Sequence, residues 1–234
     1  MTPRAALIAR LGAVRHDLLI IGGGIVGAGI ARDAALRGLK VALIEQGDFA
    51  SGTSSKTSKL IHGGLRYLEH GHLRLVAEGL RERNTLRAIA PGLVRPLSLL
   101  LPVYRGDLRA PWKIHLGLQL YDALAGRRKI QPHRVLPPRR AVEMEPALRV
   151  DGLRAAGLYA DCQMDDARMC LANILQAASF GAVCANYVRL REFLKVSGQV
   201  CGGAVEDALT GRAIDIRRGS SSTRLGPGPT GSAT

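Results

Sequence analysis

Three glycines near the start of the chain stand at the spacing of a phosphate-binding loop. Gly22, Gly24 and Gly27 fit the pattern G-x-G-x-x-G. In such a loop the first glycine permits a tight turn, the second lets the backbone approach a pyrophosphate, and the third lets a helix pack closely on a sheet. The amino terminus of that helix offers free N–H groups and a partial positive charge to phosphate oxygens. The glycines therefore predict a dinucleotide site.

An acidic residue follows the glycines at the distance that a nucleotide site requires. Glu45 ends a second apolar run, at the separation of about twenty residues that is typical of the motif. Its carboxylate can accept hydrogen bonds from ribose hydroxyls. The alternative is a glycine-rich turn in another parallel sheet, with Glu45 an ordinary surface acid. The agreement of glycines and acid favours a dinucleotide, without choosing between NAD and FAD.

The pattern around the motif predicts the unit that must position it. The apolar run 17–21 fits a buried strand, small and apolar residues at 25–37 fit a helix that stops at Gly38, and 40–45 fits a second strand. Strand, helix and strand at this spacing form a parallel pair with a right-handed crossover. The predicted fold class is therefore α/β, with a parallel-sheet, Rossmann-like domain.

The rest of the chain alternates between ordered and irregular patterns. Prolines at 91, 96, 102 and 111 are expected to break up the segment around them. The other expected elements are a polar loop at 51–59, helices at 72–90 and 112–124, a connector at 131–146, a helix from Asp165 or Asp166 to Gly181, and an antiparallel meander of strands at 183–196, 200–206 and 212–216.

Composition narrows the class of protein. The 234 residues are 47% hydrophobic, which suffices for a real core, and residues 1–16 contain no uninterrupted apolar stretch typical of a signal peptide. The four cysteines form no C-x-x-C pair, so we predict no metal site and a reducing, cytoplasmic location. The net charge of +14 suits nucleic acid, anionic lipid or a phosphorylated ligand, but 4% aromatic residues argue against nucleic acid.

Several longer strings are specific enough to indicate a family. Residues 46–68 read QGDFASGTSSKTSKLIHGGLRYL, and APW, GLQLYDAL and YADCQMDDAR follow at 110–112, 117–124 and 159–168. Over residues 17–217 the chain resembles the flavin-dependent glycerol-3-phosphate dehydrogenases, which belong to the D-amino-acid-oxidase-like flavoproteins. The resemblance implies FAD rather than NAD.

An activity follows from the resemblance. It implies oxidation of sn-glycerol 3-phosphate to dihydroxyacetone phosphate, with a hydride passing from C2 to the flavin N5. It also implies a quinone as acceptor, and peripheral contact with the inner face of the cytoplasmic membrane. The apolar segment 112–124 with its basic flanks is the candidate for that contact, and buried core is the alternative.

The resemblance also assigns site residues. The cofactor-binding set is Gly22, Gly24, Gly27 and Glu45 on the ADP half, Thr53, Ser54 and Ser55 near the pyrophosphate, and Ser58, Lys59, Leu60, His62, Gly63 and Gly64 beside the isoalloxazine. The catalytic candidates are His62, Arg66 and Tyr67, the last two at the substrate end. The alternatives are a packed histidine at position 62, a structural salt bridge at Arg66, and helix-bracing roles for Asp165, Asp166 and Arg168.

Domain boundaries are expected as follows: 17–110, first part of the FAD-binding domain; 111–160, partial substrate segment; 161–217, second part with the meander; 218–234, an aberrant low-complexity tail.

Read one base earlier, the codons for SSSTRLGPG are compatible with VVVNATGPW, the family pattern for a strand that returns to the parallel sheet. We therefore expect a frameshift, and an inactive, poorly folded chain as written. The downstream coding DNA, read in three frames, decides this.

Two other functions stay open. The first is another FAD oxidase of the same fold, acting on an amine or a hydroxy acid, and the strings GTSSKTSK and HGGLRYL argue against it. The second is a non-catalytic fragment, which is compatible with the family resemblance.

Overall fold

The structure of the protein is a computed structural model that describes residues 3–218. Its α-helices are α1 (Arg4–Ala13), α2 (Ile25–Leu36), α3 (Leu73–Ile89), α4 (Pro111–Ala125), α5 (Pro138–Met144) and α6 (Asp166–Ser179). Its strands are β1 (Leu18–Ile21), β2 (Val41–Ile44), β3 (Leu60–Ile61), β4 (Val94–Tyr104), β5 (Arg134–Leu136), β6 (Leu153–Met164), β7 (Val183–Ala185), β8 (Val188–Val196), β9 (Gln199–Asp207) and β10 (Ala213–Arg217). Short 3-10 helices cover Thr53–Ser55, Leu65–His70 and Gly126–Arg128.

The chain forms two compact units. The first takes the chain up to Lys56 and from Asp166 onward, and the second is Thr57–Asp165. The compact units divide the chain at positions other than 110 and 160, because strands β3 and β4 both pair with β6. The functional labels of the predicted segments stay predictions. Residues 219–234 of the predicted tail lie outside the described residues.

A parallel sheet forms the centre of the first unit. Its order is β1-β2-β7, and all neighbours are parallel. One face carries Val41 and Leu43, which pack on the small residues of α2 and on α6. The other face carries Ala42 and Ile44, which pack on α1 and the meander. A parallel sheet is normally covered on both faces, and the predicted strand–helix–strand unit and α/β fold class are confirmed.

The elements that pack on the second face of this sheet, the meander and α1, were only partly predicted. The meander is confirmed, since β9 pairs antiparallel with β8 and with β10. However, the single strand expected at 183–196 is two strands: β7 joins the parallel sheet, and Tyr187, at φ +52°, turns the chain into β8. Helix α1 was not predicted, because only Ile8 and Leu11 mark its short buried face.

The second unit is built on a long antiparallel strand, β6, which pairs with β4 on one side and with β3 and β5 on the other. The expectation that prolines interrupt this region was wrong for β4. Pro96 and Pro102 lie within the strand, opposite Cys162 and Ala156. Proline lacks an N–H, but a strand at the end of a sheet needs donors on one side only.

Helices pack on this sheet. The helices expected at 72–90 and 112–124 are confirmed as α3 and α4. The connector expected at 131–146 instead contains β5 and α5. The reason is that Pro138 occupies the first turn of α5, where proline is well tolerated, and Ala141 is buried against Leu153 and Ala156.

All four cysteines are free, and Cys162, Cys170 and Cys184 are buried while Cys201 is half-buried. None of the helices within residues 3–218 combines the length and apolarity needed to cross a bilayer.

A buried carboxylate joins α1 to the turn between β9 and β10. Asp207, 1% exposed, accepts hydrogen bonds from the Arg4 guanidinium at 2.5 Å, the Thr210 hydroxyl at 2.7 Å and the Leu209 N–H at 3.2 Å. Burial alone would raise the pKa of Asp207, but these three donors outweigh it and lower the pKa. The ionised form is therefore the stabilising one.

We expect Asp207→Asn to lower the free energy of unfolding at pH 7 by about 1–3 kcal/mol, because buried donors lose a charged acceptor. The folded-state pKa lies below the unfolded one, so this stabilisation is present above the unfolded pKa and is lost as pH falls through the folded pKa. Thermal unfolding at pH 7 and near pH 3 measures it. Asp215→Asn, which breaks the exposed pair with Arg217, is the control. An equal effect of Asp207→Asn at both pH values would contradict the expectation.

Candidate functional site

The glycine loop lies between β1 and α2 in the first unit. Gly22 has φ +109°, and its N–H donates to the Ile44 carbonyl at 2.8 Å. A Cβ at Gly27 would lie 2.0 Å from the Gly22 carbonyl oxygen, a distance that no side chain tolerates. The turn at Gly22 and the close packing of α2 on it are therefore the roles predicted for the first and third glycines.

Glu45 lies beside this loop. Its two carboxylate oxygens accept the N–H of Gly23 at 2.7 Å and the N–H of Gly47 at 2.9 Å. Each carboxylate oxygen still has a lone pair to offer, so Glu45 can also accept a hydrogen bond from a hydroxyl group. The structure thus brings Glu45 to the glycine loop, as the sequence predicts, and shows that it orders the loop.

Ser54 closes the loop on its other side. It is 8% exposed, and its hydroxyl oxygen accepts the N–H of Ile25 at 3.0 Å, at the start of α2. Thr53 and Ser55 are exposed, and the Ser55 hydroxyl donates to the carbonyl of Gly52 at 3.1 Å. Of the three hydroxyls predicted near a pyrophosphate, Ser54 is the one that contacts the helix terminus.

The second unit holds the other predicted residues. Ser58 and Lys59 are exposed, and Leu60 begins β3. Gly63 and Gly64 are buried, and Gly64 has φ +74°. A Cβ at Gly63 would lie 2.5 Å from Leu80 Cγ, so close packing requires glycine there.

A cavity of about 920 Å³ opens beside this segment. His62, Arg66 and Tyr67 all line it, so the structure brings the three catalytic candidates together. Much of the remaining lining is apolar, and includes Leu101 and Trp112. A cavity that is mostly apolar with a few convergent polar groups is typical of a small-molecule site. The roles of the three candidates stay predictions.

Five further polar residues line the cavity and were missed from the sequence: Glu69, Arg109, Lys113, Tyr159 and Asp161. Arg109 forms an ion pair with Glu69, with Nη2 donating to Oε2 at 2.7 Å, and this hydrogen bond lowers the pKa of Glu69. Lys113 follows on α4, and Tyr159 and Asp161 come from β6. Asp161 was the detectable signal, since a lone carboxylate among the small residues Ala160 and Cys162 is unusual in a strand.

Asp161 is the most buried of these polar groups. It is 1% exposed, it accepts Arg83 Nη1 at 2.7 Å and it accepts the Tyr121 hydroxyl at 2.8 Å. Burial raises the pKa of Asp161, while Arg83 and Tyr121 oppose that rise. Burial and the charge of Asp161 together raise the pKa of the neighbouring Tyr159 to about 12. The Tyr159 phenol is therefore neutral near pH 7.

A comparison with known families decides which family this is. The model of the family described as "FAD dependent oxidoreductase" matches residues 17–216. The chain belongs to this family. Its cofactor is accordingly FAD, and the two compact units contain the residues that the family match covers.

Individual relatives give a finer comparison. The chain is 41% identical to the aerobic glycerol-3-phosphate dehydrogenase of Bacillus subtilis (strain 168), over 86% of this chain and 36% of that protein. It is 43% identical to the mitochondrial glycerol-3-phosphate dehydrogenase of Homo sapiens, over 91% of this chain and 31% of that protein. The chain therefore spans about a third of the length of these curated relatives.

A solved structure agrees with the fold. The glycerol-3-phosphate dehydrogenase from Bacillus halodurans, complexed with FAD, has a TM-score of 0.71 and 32% identity, over 92% of this chain and 35% of that one. The mixed α/β fold, with its parallel and antiparallel sheets, is thus that of an FAD-binding protein.

The residues of the glycine loop fit the ADP half of FAD. Residues 22–24 carry no side chains of their own, and Val26 in the first turn of α2 is 72% exposed. Glu45 supplies acceptors for ribose hydroxyls, and the N-terminus of α2 supplies donors and partial positive charge for phosphate.

The three glycine positions predict different outcomes. Gly24→Val should strongly reduce FAD binding while the protein still folds, because a Cβ there contacts only the Ser54 hydroxyl, at 3.3 Å, and the rest of the side chain enters the phosphate space. Gly27→Ala should destabilise the fold itself, because its Cβ would clash with backbone. Flavin absorbance after purification and thermal unfolding separate the two effects.

The matched control is Gly29→Ala on the same helix, where a Cβ would meet nothing within 4 Å. It should keep FAD and gain up to about 1 kcal/mol of stability from helix propensity. Unchanged flavin content in Gly24→Val would show that the loop does not approach the pyrophosphate as expected.

Proposed function

We propose that this chain contributes the FAD-binding region and part of the substrate site to an oxidation of sn-glycerol 3-phosphate to dihydroxyacetone phosphate. The observation that carries the proposal is the identity of 41–43% to two glycerol-3-phosphate dehydrogenases over most of this chain. The cavity beside the HGGLRYL segment supports it, since that cavity holds cationic groups suited to a small phosphorylated substrate.

The cationic side chains at the cavity differ in whether an ion pair already occupies them or leaves them free for the substrate phosphate. Arg109 is paired with Glu69, so its charge is already matched. Arg66 is exposed at the cavity and carries a planar fork of donors that can bind two phosphate oxygens at once. We therefore assign the substrate phosphate to Arg66, with Lys113 as a second cation on the same cavity.

His62 is assigned the proton of the substrate hydroxyl. An imidazole is the side chain best suited to accept a proton near neutral pH, and His62 is exposed at the cavity. Tyr67, 46% exposed at the same cavity, can donate a hydrogen bond that orients the substrate. When bound, FAD supplies the acceptor for the hydride that leaves the substrate carbon.

We assign the predicted cofactor contacts at residues 58–64 to the same cavity. Ser58, Lys59 and Leu60 precede the two glycines on one continuous segment, and Leu60 and Gly64 line the cavity. Buried glycines without side chains allow a flat ring to approach the backbone closely. This supports the assignment of residues 58–64 to the isoalloxazine side.

The substrate assignment predicts a selective kinetic effect. Dye reduction with glycerol 3-phosphate is measured for the 234-residue chain and for the form translated in the alternative frame after residue 217, and activity is expected in the second. In that active form, Arg66→Ala should raise KM about 10- to 100-fold, because a charge-assisted contact is lost, with FAD binding unchanged.

The control is Arg74→Ala, an exposed arginine on α3 that is not among the cavity residues. Activity with amines or other hydroxy acids, and none with glycerol 3-phosphate, would favour the alternative oxidase. Absence of all turnover in both forms, despite bound FAD, would favour a non-catalytic protein.

Quinone as acceptor and peripheral contact with the cytoplasmic face of the membrane are further parts of the proposal. Helix α4 supports the membrane contact, because it buries Ile114 and Leu118 while Trp112 and Leu116 stay 64% and 57% exposed. A helix with exposed apolar side chains and basic flanks can lie in the membrane interface. The segment predicted for membrane contact is thus half core and half exposed.

Membrane contact of this kind should be reversible. We expect the protein to sediment with membranes at low salt and to be released by high salt or mild detergent, because anionic lipid attracts basic residues. Trp112→Ser should increase the released fraction, and Trp112 is chosen because it is the most exposed large apolar side chain of α4. Full recovery in the supernatant at low salt would count against membrane contact.

A further inference from the structure

Three polar side chains in the core of the second unit form one connected network. Arg83 of α3, Tyr121 of α4 and Asp161 of β6 are only 1–2% exposed. Arg83 donates to Asp161 at 2.7 Å, and the Tyr121 hydroxyl lies 2.8 and 3.0 Å from the two Asp161 oxygens. The network ends on the backbone, where the Gly63 N–H donates to the Tyr121 oxygen at 2.7 Å.

The direction of every hydrogen bond in this network is fixed. The Gly63 N–H and the Arg83 guanidinium can only donate, so the Tyr121 hydroxyl directs its single proton to Asp161, which is paired with Arg83. Its oxygen is then free to accept the Gly63 N–H. The hydrogen bond to Asp161 therefore polarises the Tyr121 phenol, and the phenol oxygen in turn accepts the N–H of Gly63.

Stability alone is a poor explanation for these residues. A buried ion pair is costly to desolvate and is often no more stabilising than apolar side chains of the same size. Here the cost is increased because the Arg83 Nε group is buried without a hydrogen-bond partner among the described residues. The network is therefore better explained by what it holds in place.

The peptide that it holds is part of the cavity wall. His62 and Gly64, on either side of Gly63, both line the cavity, as does Asp161 itself. Gly63 cannot be replaced by a residue with a Cβ, which would lie 2.7 Å from the Tyr121 oxygen. Gly64, at φ +74°, turns the chain immediately afterwards toward Arg66 and Tyr67.

We propose that Arg83, Asp161 and Tyr121 are positioning residues, which set the backbone at Gly63 and thereby the placement of His62 and Gly64 toward FAD. This inference rests on the proposed function, in which residues 58–64 lie beside the isoalloxazine. The three residues act through the Gly63 peptide, which the Tyr121 oxygen holds.

The test removes one oxygen atom. Tyr121→Phe keeps the buried ring and deletes the acceptor of the Gly63 N–H, and Asp161→Asn removes the charge that orients the phenol. Tyr104→Phe is the matched control, because it deletes a phenol oxygen at the end of β4, outside the cavity lining. Each variant is compared with the unaltered chain.

Three readouts are measured. Amide hydrogen exchange in the segment containing Gly63 should accelerate at least about fivefold in Tyr121→Phe, because one buried hydrogen bond is lost. The dissociation constant for FAD should rise about two- to tenfold on the same ground. The visible absorption bands of bound flavin should shift, and Asp161→Asn should add little to these changes in a Tyr121→Phe background.

The proposal is overturned if Tyr121→Phe matches Tyr104→Phe in Gly63 exchange, FAD affinity and flavin spectrum, whatever happens to its melting temperature. If Asp161→Asn fails to fold, Tyr121→Phe still decides the matter. Faster Gly63 exchange with unaltered FAD affinity and spectrum would also overturn it, since the network would then be structural only. Failure of both the 234-residue chain and the form translated in the alternative frame to bind FAD would instead refute the proposed function, and it is visible before any variant is made.

Discussion

The contact between the Gly22 carbonyl and the face of α2 at Gly27 is the constraint on which the first unit depends. Because a Cβ at position 27 would lie 2.0 Å from that oxygen, the helix can approach the sheet only with glycine there. Close approach explains why the buried face of α2 consists of alanines, at positions 28, 31, 34 and 35. It also places the N-terminus of α2 beside Glu45 and Ser54, at a loop whose glycines let a phosphate approach.

The second unit depends on charge instead of close backbone packing. Its core places Arg83 and Asp161 against each other with almost no exposure to water, and the cavity with its catalytic candidates lies against Asp161. The two units thus offer two kinds of chemistry: backbone donors and a carboxylate in one, and a cavity with cations, phenols and an imidazole in the other. Family membership and the FAD cofactor are consistent with both.

The sequence predicted local features well and long-range ones poorly. The glycine spacing, Glu45 and the strand–helix–strand unit are short-range patterns, and the structure contains them as expected. The pairing of β4 with β6 escaped prediction because prolines within β4 resemble loop signals. Asp161 escaped because its partner Arg83 lies 78 residues away, and only the folded chain shows that the two charges meet.

Pro96 and Pro102 have a consequence for how the second unit meets other chains. An edge strand with a full row of free donors is a template on which another strand can assemble. The two prolines are six residues apart on β4, so they interrupt the same row of N–H groups, on the side away from β6. A strand of another chain that paired with β4 would lack two backbone N–H donors, at Pro96 and Pro102. The prolines therefore disfavour edge-to-edge aggregation at the longest outer strand of this sheet.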